Sequence, residues 1–88
     1  MRLTITENIV GIGVDIEEIG SFKNVSPGDK IFLRRIFTPS ETKYCFSKKN
    51  SAPHLAARFA AKEAVFKALV SAKVFSIIPL NAIEIIHE

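Results

Sequence analysis

Eighty-eight residues set the scale of one domain, here residues 1–88. Hydrophobic residues make up 48% of the chain, seven of them Phe, so a core is within reach, although so short a chain buries a modest share of its surface and gains from partner subunits. A net charge of +3 suits anionic partners as well as a solvated surface, and the single Cys45 excludes an intrachain disulfide and a cysteine-built metal site.

Near the start, Val10, Ile12, Val14 and Ile16 alternate with Gly11, Gly13, Asp15 and Glu17. The period of two predicts a strand with one aliphatic face and one small, then acidic, face. Two glycines on the acid's own face leave room for a ligand or another backbone to come close. Residues 9–16 are too few, and too interrupted by Asp15, for a signal peptide. No segment approaches the ~20 apolar residues of a membrane span, so the chain reads as soluble and cytoplasmic.

Ser26-Pro27-Gly28-Asp29 opens a short predicted helix through Ile31, Phe32, Leu33 and Ile36. Thr38-Pro39-Ser40-Glu41 is a second start signal: Thr38 as N-cap, Pro39 in the first helical position, Glu41 closing a capping box. That helix is expected to reach about Phe46, followed by a polar, basic loop over residues 47–51. A third helix is predicted from about Ser51 to Val70, rich in alanines that favour helix and close packing. At ~100° per residue, Leu55, Phe59, Phe66 and Leu69 form its apolar stripe. Lys62 falls within that stripe, Arg58 and Glu63 near its edges, and Lys67 beyond Glu63. After Pro79, residues 81–87 read as a last strand with Ile83 and Ile85 on one face. Two strands make a poor sheet, so a third is expected around residues 2–6 or from another subunit.

Several of these residues admit both a structural and a chemical reading. A lysine inside an apolar stripe either snorkels to water or meets an anion. Arg58 and Lys62 are like charges four residues apart, and a phosphate or carboxylate between them would turn repulsion into attraction. Glu63 and Lys67 have the spacing of a helix salt bridge. Asp15 either ends its strand or joins Glu63, with Glu17, in a carboxylate set suited to Mg²⁺, which takes a few carboxylates plus water and phosphate oxygens. Nearby lysines would complete a diphosphate site. Gly11-Ile12-Gly13 lacks the third glycine of a dinucleotide fingerprint, and no P-loop is present. His54 suits a helix-start or surface role, Cys45 a core position, and Lys48-Lys49 is a weak nucleic-acid signal.

Three blocks in order, Gly-Ile-Gly-Val-Asp-Ile-Glu-Glu-Ile from Gly11, Arg35-Ile36-Phe37-Thr38-Pro39-Ser40-Glu41, and Arg58-Phe59-Ala60-Ala61-Lys62-Glu63-Ala64-Val65-Phe66-Lys67, make the chain resemble the 4'-phosphopantetheinyl transferases of the short holo-acyl-carrier-protein synthase type. The resemblance runs from about Ile9 to Ile86. It implies an α+β fold with a small sheet packed against one long and several shorter helices. It implies Mg²⁺-dependent transfer of the phosphopantetheine arm of coenzyme A to a serine of apo acyl carrier protein, in the service of fatty acid biosynthesis. By the same resemblance, Asp15 and Glu63 match the metal acids and Glu17 a third acidic position. Asp15, Glu63 and Lys67 match the catalytic set, and Arg58, Lys62 and Lys67 the basic groups toward coenzyme A. Arg35 and, as a substitute, Lys23 match residues facing the carrier protein.

The family's short members form trimers with sites between subunits, so a homo-oligomer is implied, with no membrane or nucleic-acid partner. Family members continue through further strands where this chain has Glu88, and carry glycine in the turn where it has Val70-Ser71-Ala72-Lys73. Three other readings stay open: a non-catalytic module that binds carrier protein or coenzyme A, one half of a split transferase, and a small basic nucleic-acid-binding protein.

Overall fold

The computed structural model describes residues 3–6, 16–73 and 78–86. In chain order these form β1 (Leu3–Thr6), α1 (Ile16–Ser21), α2 (Lys30–Ile36), α3 (Pro39–Phe46), α4 (Ser51–Ser71), a 3₁₀ turn (Leu80–Ala82) and β2 (Ile83–Ile86). This is the expected α+β arrangement. β1 and β2 pair in parallel, Leu3 opposite Ile83 and Thr6 opposite Ile86. Parallel neighbours need a long crossover, and here the helices between the two strands supply it.

Local signals account for most element boundaries. Thr38 accepts from the Glu41 N–H while the Glu41 carboxylate accepts from the Thr38 N–H, closing the predicted capping box with Pro39 at the first helical position. The last strand begins at Ile83, because residues 80–82 coil into the 3₁₀ turn and Asn81 donates to the Arg34 carbonyl at 2.8 Å.

One boundary differs from expectation. The alternating pattern predicts strand through Ile16 and Glu17, yet both open α1. Ile19 and Phe22, three residues apart, put their side chains on one cluster, and Glu18 in the first turn suits the positive end of the helix dipole. The rest of the predicted strand, Asp15 included, lies outside the described residues.

Two apolar clusters lie along α4. Phe22, Leu33, Phe37, Cys45, Ala52, Leu55 and Ala56 form the first; Ala61, Ile78, Ile83 and Ile85 form the second. Cys45 is fully buried, as expected of a core position. The buried face of α4 differs from the predicted stripe: Ala52, Leu55, Ala56, Arg58, Ala61 and Lys62 are buried, whereas Phe66 and Leu69 are half-buried. Small alanines let neighbouring elements approach closely enough to enclose the two long basic side chains between them.

Candidate functional site

The second half of α4 borders an open cavity of about 320 Å³ lined by Phe59, Glu63, Phe66, Lys67 and Leu80. Glu63 and Lys67 are four residues apart and so share a helix face. They nevertheless form no ion pair with each other or with another described residue. A carboxylate and an ammonium thus sit on one wall of an apolar-based cavity without neutralising each other. That combination accommodates a cation at the acid and a phosphate oxygen at the base.

Lys62 is placed differently. Its side chain is fully buried, and its ammonium lies 2.6 Å from Glu41 Oε1. It also donates to the carbonyls of Ile36 (2.7 Å), Leu80 (3.1 Å) and Ile83 (2.6 Å). It neither snorkels to water nor reaches the cavity. One ammonium instead joins the end of α2, the 3₁₀ turn, the start of β2 and the cap of α3. Glu41 completes the hub: its second oxygen accepts from the Ile85 N–H at 2.9 Å. A buried charge with this many partners positions the backbone that surrounds it. In this fold the Lys62 ammonium is engaged by these protein oxygens.

Arg58 is also buried, its guanidinium 4.2 Å from the centroid of the Tyr44 ring. Lys48 lies 4.6 Å from the same ring and His54 meets it edge-on at 5.9 Å. A second, smaller cavity of about 180 Å³ is bordered by Ser40, Glu41, Tyr44, Arg58, Ile85 and Ile86. Arg58 thus borders a different cavity from Glu63 and Lys67.

Arg35 and Lys23 are both exposed, Arg35 in the last turn of α2 and Lys23 in the turn after α1. Beside Arg35, α2 exposes Ile31 (74%) and Phe32 (43%). Of the expected metal acids, Glu63 is on the cavity wall. Asp15, and the side chain of Glu17, lie outside the described residues. Among the described residues no three His, Cys, Asp or Glu side chains gather as a metal site. Two features escaped the sequence reading: Glu41 as the partner of Lys62, foreshadowed only by its capping position, and the exposed Ile31–Phe32 pair, which the run Lys-Ile-Phe-Leu-Arg-Arg could have disclosed.

Residues 11–88 match the family described as the 4'-phosphopantetheinyl transferase superfamily. The chain is 58% identical over 62 residues to the holo-[acyl-carrier-protein] synthase of Geobacter sp. (strain M21), covering 69% of this chain and 50% of the relative. It is 51% identical over 67 residues to the synthase of that name from Thermodesulfovibrio yellowstonii, covering 74% and 58%. It is also 52% identical over 60 residues to the fatty acid synthase subunit alpha of Aspergillus oryzae, covering 68% of this chain and 3% of that one. The chain spans about half the length of the synthases it matches. No solved structure matches it significantly.

Proposed function

Because the chain belongs to the 4'-phosphopantetheinyl transferase superfamily, we propose that it acts in the transfer of 4'-phosphopantetheine from coenzyme A to a serine of apo acyl carrier protein, in the cytoplasm and with Mg²⁺. The observation that carries this reading is the cavity wall where Glu63 and Lys67 stand side by side without pairing.

The donor set fits a hard cation: one carboxylate faces an open cavity, and Mg²⁺ needs only one or two carboxylates beside substrate phosphate oxygens. Glu63 would hold it with Asp15 and Glu17. When bound, the ion supplies neutralisation of the diphosphate. Lys67 binds a phosphate oxygen and stabilises charge on the leaving group. The serine oxygen attacks the β-phosphorus and the phosphoanhydride bond breaks. Adenosine 3',5'-bisphosphate departs, and the serine proton passes to a carboxylate or to water. Lys62 and Arg58 serve from behind: Lys62 fixes α4 against β2 and α2, so that the next residue, Glu63, is held at the cavity. Arg35 and Lys23, with Ile31 and Phe32 between charged neighbours, offer a basic and apolar face to an acidic carrier protein.

A homo-oligomer, a trimer by family resemblance, would cover what one chain leaves open. Val70 on α4 is 40% exposed and the described sheet has two strands. Light scattering on the purified chain checks this, and a monodisperse monomer would refute it.

The direct test is mass spectrometry of apo acyl carrier protein incubated with the chain, coenzyme A and Mg²⁺, against a chelator control. A magnesium-dependent gain of one phosphopantetheine is expected. Carrier binding without any gain would favour a non-catalytic binding module or one half of a split transferase.

A further inference from the structure

A third cavity, of about 360 Å³, lies between α2 and α3 and shares no lining residue with the one at Glu63. Its apolar floor includes Leu33 and Phe37, both almost fully buried. Lys30, Arg34 and Lys43 line it, all exposed, and no acidic residue does. None of the three cations forms an ion pair with a described residue. The nearest acid in sequence, Asp29, turns its carboxylate back onto the Ser26 N–H at 2.8 Å and the Ser26 hydroxyl at 3.3 Å.

We propose that this groove is a binding site for a small phosphorylated molecule with an apolar portion, its phosphate held by Lys30, Arg34 and Lys43 and its apolar part seated on Leu33 and Phe37. Three observations select that chemistry. Three cations line the groove, which a single carboxylate would leave largely uncompensated, whereas a phosphate monoester carries nearly two negative charges and three acceptor oxygens. The floor is apolar, which inorganic phosphate alone would leave uncovered. The volume falls in the range of small-molecule pockets, about 300–1,000 Å³, which are mostly apolar with a few placed polar groups. The site does not depend on the transferase reading, since it involves neither Glu63 nor Lys67.

The test is an NMR titration of the ¹⁵N-labelled chain with phenyl phosphate, inorganic phosphate and benzyl alcohol, at ionic strength matched with chloride. Phenyl phosphate is expected to shift the amides of Lys30, Leu33, Arg34, Phe37 and Lys43 saturably and to bind more tightly than either fragment. The variant K30Q/R34Q/K43Q should lose about tenfold or more in affinity. All three side chains are exposed, so its circular dichroism should be unchanged, and the three single Gln variants provide the same reading in smaller steps. Binding that persists in the triple variant would overturn the proposal. So would equal affinity for phenyl phosphate and inorganic phosphate, or a groove that takes an acidic peptide and not phenyl phosphate.

Discussion

The two halves of α4 obey different rules. From Ser51 to Lys62 the helix buries Ala52, Leu55, Ala56, Arg58, Ala61 and Lys62, and both apolar clusters draw on it. From Glu63 to Ser71 it buries no residue, yet it carries the acid and base of the candidate site. The first half is held by packing and by an enclosed ion pair. The second is presented by it, with Phe66 and Leu69 only partly covered. A functional surface of this kind is best aimed by a rigid neighbour and left open itself.

The sharpest way to break this contrast is Lys62→Met. Removing one member of an enclosed pair leaves Glu41 charged and buried, which costs about 3–5 kcal/mol. That is a large share of the stability of so small a domain. Urea unfolding followed by circular dichroism should show the loss. A midpoint equal to that of the parent chain would show that the contacts of Lys62 do not hold the halves together.

Leu55→Ala against Val70→Ala sharpens it. Leu55 is fully enclosed in the first cluster, so truncation leaves a cavity and costs about 2–5 kcal/mol. Val70 is exposed, and its truncation should stay within about 0.5 kcal/mol. Similar costs at the two positions would mean that another surface covers the second half. Thr38→Ala should fall between the two, about 1 kcal/mol, from the lost cap. Its hydroxyl also donates to Glu84 Oε2 at 2.5 Å, so slowed amide exchange at β2 should weaken with it.

What the sequence disclosed follows from range. The capping box, the extent of α3 and α4 and the burial of Cys45 depend on residues within a turn or two of each other, and all were legible. The strand expected around residues 2–6 is present as β1, but its pairing with β2 joins the two ends of the chain and no local spacing reports it. Ile16 and Glu17 continue an alternating pattern, but Ile19 and Phe22 draw them into a helix by tertiary contact. Lys62 was read as a lysine in an apolar stripe that must reach water or an anion, and the Glu41 carboxylate is that anion. Its partners are a cap residue and three carbonyls from other elements, and no spacing rule reports them. At the site itself, Glu63 and Lys67 look like a helix salt bridge in sequence. Only the fold shows that they do not pair.

That last point yields the smallest effect on stability and the most direct test of function. Glu63→Gln removes a charge from a half-buried, unpaired carboxylate at a cavity wall, so unfolding should move by no more than about 0.5 kcal/mol. If the acid holds a metal ion, the same change should abolish Mg²⁺-dependent transfer to apo acyl carrier protein, read by mass spectrometry. Asp15→Ala should do likewise. Lys62→Met lowers activity through unfolding and through a loosened hold on Glu63, so a stabilising osmolyte should restore part of it, whereas Glu63→Gln should not respond. A Glu63→Gln chain that is fully folded and fully active would remove Glu63 from the site and leave the open half of α4 without an assigned role.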